Sequence, residues 1–322
     1  MEALGKRRVA RPGARHGVKF ALDASPLSAT PGGIARYTAE LHRALKALYP
    51  EHSFELLPGN QRLWWSLRLP LKLRRDGFAL FHGTDFSVPY LPLRPSVMTL
   101  HDLSPFRAEF AGAVSGRVRR RTPWLLRLNL ATRIITPTEA VRREAISRFG
   151  LDPARIHATH LGVSVQPIRA LRTELLLMVG AGARKNAALA RDAAPKNVPL
   201  KIVDANVEEE ELARLYSTAR VLLIPSLYEG FGLPAIEAMA CGTPVIASKD
   251  AALMEVCGGA ALHVDVNDEA AWAEAIRSVL SQPELAERLS QAGRARAKEF
   301  TWERTARQTF AEYEEAIRAY GR

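Results

Sequence analysis

The 322-residue chain has little of what marks several large classes of protein. It carries two cysteines, Cys241 and Cys257, with no C-x-x-C spacing and no histidine cluster. That excludes a disulfide framework and a cysteine–histidine zinc site, and points to a reducing compartment. No run of 18 apolar residues occurs, so no membrane-spanning helix is expected. The opening MEALGKRRVARPGARHG is basic but has no apolar h-region, so a secretory leader is not expected and a cytoplasmic location is. Internal repeats of the solenoid kind and low-complexity runs are also missing.

What is present is a globular composition, 47% hydrophobic and 25% charged, on a chain long enough for two ordinary domains. Its charge is uneven. Residues 1–165 hold 26 Lys+Arg against 12 Asp+Glu, a balance of +14, while residues 166–322 hold 19 against 22, a balance of −3. Such asymmetry suggests two domains with different partners, the basic one suited to something anionic. No recognised nucleic-acid motif accompanies the charge, so no nucleic-acid partner is expected.

Short apolar runs alternate with helical periods along both halves. VKFALDA (18–24), FALFHG (78–83), VMTLHD (97–102) and RIITPT (133–138) read as strands, with helices at 32–48 and 139–149. A second series runs through LLLMVG (175–180), LKIVD (200–204), a helix at 208–219, VLLIP (221–225), a helix from Pro234 to Cys241, and PVIAS (244–248). Alternating strands and helices imply an α/β protein with two doubly wound parallel sheets. The boundaries expected are 1–165, with 1–17 a basic disordered lead, then 166–300, then a C-terminal helix at 301–322 that could pack back on the first domain.

The stretch YEGFGLPAIEAMACGTPV (228–245) follows the strand VLLIP, at the carboxyl end of a parallel sheet, where open α/β sheets bind ligands. Pro234 suits the first turn of a helix. The amides near Phe231, Gly232 and Leu233 then face out of a helix N-terminus, which favours phosphate. Gly230 and Gly232 let a ligand approach the backbone. Glu229 and Glu237 can both reach the same mouth as hydroxyl acceptors, an arrangement that suits a nucleotide-sugar. A plainer account has the glycines making a turn and the acids complementing the helix dipole.

EGFGLPAIEAMACGTPVIAS resembles the E-x7-E signature of retaining GT-B glycosyltransferases, in particular the family 4 group. LLLMVGAGARKN, EEEELARLYSTARVLLIPS, PGGIARYTAEL, TLHDLSPF and RIITPTEAVRREA are similar to other landmarks of that family. The resemblance implies a GT-B fold: two Rossmann-like domains facing across a cleft, the first binding acceptor and the second an NDP-hexose, UDP- or GDP-linked. It implies that Glu237 binds ribose hydroxyls and Glu229 the donor sugar. Phe231, Gly232 and Leu233 would help hold sugar and phosphate, Arg184 and Lys185 would neutralise the leaving diphosphate, and Gly32 and Gly33 would cover the donor phosphates. His101 would face the donor sugar. It further implies a front-face retaining transfer with no metal and no cofactor beyond the sugar nucleotide.

Each assignment has a plainer counterpart. Arg184–Lys185 could be a solvated loop, His101 beside Asp102 a structural histidine, and Gly32–Gly33 a simple helix start. Asp23 reads as a cap and is left outside the site. The interval 187–207 holds one short helix and one strand where the family fits another of each, which leaves room for a trimmed or non-catalytic GT-B-like binding protein. A different GT-B enzyme, such as a nucleotide-sugar epimerase, is the other alternative.

RLWWSLRLPLKLRRDG (62–77) and SGRVRRRTPWLLRL (115–128) mix Trp64, Trp65 and leucines with many arginines. Such mixtures suit an anionic membrane surface, and with it a lipid-linked or cell-envelope glycan acceptor. Alternatively the tryptophans and leucines are core and the arginines face water. Pro70 argues against a long helix in the first segment.

Overall fold

The computed structural model describes residues 17–28, 32–59, 63–110, 115–203 and 207–321. The basic lead (1–16), Arg62 and Asp204 lie outside the described residues. The first series of strands is β1 (Lys19–Asp23), β2 (Ser53–Leu57), β3 (Leu80–Gly83), β4 (Ser96–Thr99), β5 (Arg133–Thr136) and β6 (Ile156–Ala158). They pair in the order β2-β1-β3-β4-β5-β6, every pair parallel. Their helices are α1 (Gly33–Leu48), α2 (Leu69–Arg75), α3 (Ser115–Arg127) and α4 (Glu139–Phe149).

A second parallel sheet follows, in the order β11-β10-β9-β7-β8. Its elements are β7 (Leu176–Val179), α5 (Ala187–Ala193), β8 (Leu200–Val203), α6 (Glu209–Thr218), β9 (Val221–Ile224), α7 (Leu233–Ala240), β10 (Val245–Ser248), α8 (Ala251–Cys257) and β11 (Leu262–Val264). Then come α9 (Glu269–Ser281), α10 (Pro283–Ala297) and α11 (Trp302–Tyr320). Strands β3, β4, β7, β9 and β10 are buried along their whole length, which is why they read as unbroken apolar runs. The two halves are doubly wound parallel sheets with helices, as the alternating pattern implies.

Three strands were not evident in the apolar pattern. SFELL (β2) carries a glutamate, and β6 and β11 are three residues long and contain histidines. Helices α9 and α10 are separate because Pro283 fits the first turn of α10 and ends α9. Around Pro70 the chain stays helical. Residues 64–68 form a wider π-turn that leads directly into α2, so the proline sits where its missing N–H costs little.

Helix α11 leaves the second sheet and packs on the first. The Tyr313 hydroxyl meets His82 Nδ1 at 2.7 Å, and Glu312 pairs with Arg133 at 2.8 Å. Phe310 stacks on Tyr49 with ring centres 3.9 Å apart. One apolar core runs through both halves, joining Phe20, Tyr37 and Leu161 to Leu177, Phe231 and Trp302.

Candidate functional site

Loops at the carboxyl ends of both sheets meet in the groove between them. Beyond β9 the chain presents Ser226, Tyr228, Glu229 and Gly230 before α7 begins. Beyond β7 a tight turn at 183–185 carries Arg184 and Lys185, and Leu227 N–H donates to the Arg184 carbonyl at 2.8 Å, tying the two loops together. Beyond β4 stand His101 and Asp102.

The motif glycines have specific causes. A Cβ on Gly230 would collide with the His101 carbonyl, so this glycine lets the two halves of the protein touch; Thr138 Oγ1 also donates to the Gly230 carbonyl at 2.9 Å. The first half of the protein therefore lies directly against this backbone, and Gly230 also borders the cavity between the halves. Gly232 has φ +86°, a left-handed conformation that starts α7 and that a side chain would strain.

Glu229 is buried and crowded by cations. Lys185 Nζ lies 2.5 Å from Oε1, Arg184 Nη1 3.6 Å from Oε2, and Ser226 Oγ donates to Oε1 at 2.7 Å. Burial alone would raise its pKa, but Lys185 and then Arg184 outweigh it and hold the carboxyl below its ordinary value. Arg184 also reaches Asp102 Oδ2 at 3.3 Å, across the groove.

Glu237, about one turn into α7, is equally buried but differently held. Tyr216 donates to Oε2 at 2.8 Å and Arg36 of α1 pairs with Oε1. Here burial prevails and the pKa is raised, with Arg36 and Tyr216 only partly offsetting it.

His101 Nε2 lies 2.7 Å from the Thr84 carbonyl, and Tyr37 packs edge-on against the ring at 4.9 Å. Burial depresses its pKa, against the pull of the Thr84 carbonyl and Asp102, which keeps the ring neutral near pH 7.

Two cavities lie side by side here. One of about 250 Å³ is lined by Gly33, His101 and Asp102 from the first half and by Arg184, Lys185, Glu229 and residues 230–234 from the second. Its neighbour, about 290 Å³, is lined by Gly32, Gly33, Arg36, Glu208, Glu209, Leu212 and Glu237. Gly33, Val179, Leu233 and Pro234 border both. All the site residues singled out from the sequence therefore converge on this pair of cavities. Arg36, Tyr216, Ser226 and Asp102 were missed as participants. Arg36 stands three residues after Gly33 and Ser226 three before Glu229, so proximity to the motifs was the available signal. Tyr216 had none beyond its place in an amphipathic helix.

The segments 63–75 and 115–128 lie on one face of the first half. Trp64 is core, whereas Leu63, Leu67 and Leu71, spaced one turn apart, are about half exposed, as are Trp124 and Leu128. Tyr90 connects the two segments, its N–H donating to the Trp65 carbonyl at 2.9 Å and its ring meeting Trp124 at 5.8 Å. Among the described residues no helix is long and apolar enough to cross a membrane. A larger cavity, about 920 Å³, opens beside α2 and shares no lining residue with the pair that holds the two carboxylates.

Two sheets facing across a groove with these loops define the GT-B class of glycosyltransferase folds. Residues 31–166 match the family described as Glycosyltransferase Family 4, and residues 174–296 match Glycosyl transferases group 1. Each half of the chain thus matches a glycosyltransferase family model, the first half one and the second half the other. Among its relatives are the MMP alpha-(1->4)-mannosyltransferase of Mycolicibacterium hassiacum, 32% identical over 62% of this chain and 56% of that protein. The O-antigen chain mannosyltransferase B of Escherichia coli is 44% identical over 33% of this chain and 28% of its own. The chain thus aligns with little more than half of the first relative's length and about a quarter of the second's. Among solved structures, sucrose-phosphate synthase from Thermosynechococcus elongatus superposes with TM-score 0.71 at 21% identity, covering 94% of this chain and 100% of that one. Anabaena Alr3699/HepE in complex with UDP-glucose superposes with TM-score 0.70 at 16% identity, covering 92% and 99%.

Proposed function

We propose that the protein is a retaining glycosyltransferase that moves a hexose from an NDP-sugar to a hydroxyl of a glycan or lipid-linked acceptor, in cell-envelope or polysaccharide biosynthesis. The observation that carries this reading is the pair of buried carboxylates, Glu229 and Glu237, each lining one of two adjoining cavities that share Gly33, Val179, Leu233 and Pro234. In this reading Glu237 accepts from ribose hydroxyls and Glu229 from the donor sugar. Lys185 and Arg184 stabilise negative charge as the diphosphate departs, the role of a preformed oxyanion hole. The leaving phosphate then takes the acceptor proton on the same face of the sugar, so the anomeric configuration is retained. No metal and no cofactor besides the donor enters the scheme. Neutral His101 borders the sugar cavity and can donate or accept one hydrogen bond there.

The names of the mannosyltransferase relatives and the sugar nucleotide bound by the structural neighbour support an NDP-hexose donor, with GDP-mannose and UDP-glucose first to be tried. The exposed leucine row leading into α2 and the arginines around it support a peripheral place on an anionic membrane surface, next to a lipid-linked acceptor. The test is to incubate the protein with UDP- and GDP-hexoses, with and without candidate acceptors, and to read nucleotide release and the anomeric proton coupling of the product. Acceptor-dependent release with retained configuration is expected. Release that ignores the acceptor, or an inverted product, would overturn the reading. Vesicle binding is checked in the same preparation: anionic vesicles should bind and be released as salt rises, since screening shortens the reach of the arginines.

A further inference from the structure

Arg36 stands on the first turn of α1, in the basic half, yet its guanidinium pairs with Glu237 in the other half. Among the described residues it is the one cationic side chain bordering the second cavity, whose remaining charged lining is Glu208, Glu209 and Glu237. The groups that face Glu237 come from several elements. Arg36 comes from α1, Tyr216 and Glu209 from α6, Glu208 from the residue before α6, and Cys241 from the end of its own helix. Three of these are or can become negative, one is a neutral phenol that donates to Oε2, and Arg36 alone of the five is positive. A carboxylate so buried, with acids for neighbours, would take up a proton if nothing opposed it. A protonated carboxyl is a poorer acceptor for a pair of ribose hydroxyls, because one of its oxygens then carries a hydrogen.

We propose that Arg36 is a positioning residue for the nucleotide: from across the groove it keeps Glu237 ionised and oriented as the acceptor facing the second cavity. This rests on the assignment of Glu237 to the ribose. It makes the grip on the nucleoside, for which the resemblance names only Glu237 of the second half, depend on a charged residue of the first half. The two halves are then coupled through one ion pair, and separating them weakens the hold on the nucleotide. Lysine keeps the charge at this position and glutamine keeps only the hydrogen bonding.

The experiment is calorimetric titration of the full chain with UDP and GDP from pH 6 to pH 9, for wild type, Arg36→Gln, Arg36→Lys and Glu237→Gln. Dividing each variant's Kd by that of wild type at the same pH removes the nucleotide's own titration. For Arg36→Gln the ratio should be largest at pH 6 and shrink as pH rises and Glu237 ionises unaided, by up to roughly tenfold per pH unit. Arg36→Lys should stay near the wild-type curve, and it carries the test if the glutamine variant does not fold. A ratio for Arg36→Gln that is near one, or that is raised but flat with pH, overturns the proposal. Glu237→Gln separates the two ideas: if it binds like wild type, the ribose assignment itself is wrong, whereas weak binding there with a flat Arg36→Gln ratio removes Arg36 alone.

Discussion

At the carboxyl end of the second sheet each buried acid has a cation: Glu229 has Lys185 and Arg184, and Glu237 has Arg36. At the carboxyl end of the first sheet Asp102 meets Arg184, but Asp85 is set among acids. Asp23 ends β1 and is bonded to Ser25 through its N–H at 2.9 Å and its hydroxyl at 2.6 Å, while Asp85 stands just past β3. Asp85 is pushed up to about 7, first by burial and then by Asp23 and Asp102. The same chemical group therefore behaves differently at the two sheet ends. Acids beside cations are ready to accept from hydroxyls, and one set among other acids loses its proton only near pH 7. Under the proposed function that contrast is expected, since the second half would grip a polyhydroxylated anion and the first would not.

The hardest blow to the comparison is removal of a donor-side cation. Lys185→Ala should lower kcat by roughly 10²–10³-fold, as loss of a preorganised charge-stabilising donor does elsewhere, and steady-state transfer assays would show it. An unchanged kcat would mean that the cations serve only to keep Glu229 charged. Exchanging the acids is next. Glu237→Gln should weaken nucleoside diphosphate binding by roughly tenfold to a hundredfold, the worth of a charge-assisted hydrogen bond. Glu229→Gln should leave that binding near wild type and reduce transfer from the intact NDP-sugar. If the two variants behave alike in calorimetry, the division of labour between the cavities fails.

His101→Ala should reduce turnover by several-fold, about 1 kcal/mol for a neutral hydrogen bond, with nucleotide affinity unchanged. Loss of folding in that variant would instead make His101 a structural residue bonded to Thr84. The smallest effect concerns stability alone. Because Asp85 keeps its proton in the folded chain up to about pH 7 but would lose it near pH 4 when unfolded, its contribution is full at low pH. It is lost as pH rises between those values. Asp85→Asn should therefore raise the melting temperature above pH 7 and do little below pH 4. The gain is bounded by about 1.4 kcal/mol for each pH unit that separates the folded chain's value from the unfolded one. A gain that does not vary with pH would show that Asp85 is not protonated in the folded protein.

Much of this was legible in the sequence where apolar pattern and motif coincide. The fully buried strands VLLI and LLMV, the helix α4 with its Thr138 cap and the closing Gly150, and the E-x7-E loop can all be read from residue order. Strands β2, β6 and β11 could not, since their burial depends on neighbours far along the chain rather than on local periodicity. The site residues follow the same division. Glu229 and Glu237 announce themselves by spacing. Arg36 is 201 positions from Glu237, and only the approach of the two halves brings them together. Gly230 can be read as a loop glycine, but sequence cannot show that its missing side chain leaves room for His101 of the other half.

The return of α11 to the first sheet bears on the order in which the molecule is made. Tyr313 stacks on Phe20 of β1, Phe310 stacks on Tyr49 just after α1, and Glu312 pairs with Arg133 at the start of β5. During synthesis the first half leaves the ribosome long before these side chains exist, so the half that is made first is finished last. Nascent chains arrested before residue 302 should be cut readily by protease within the first sheet. Chains arrested after α11 has cleared the exit tunnel should resist.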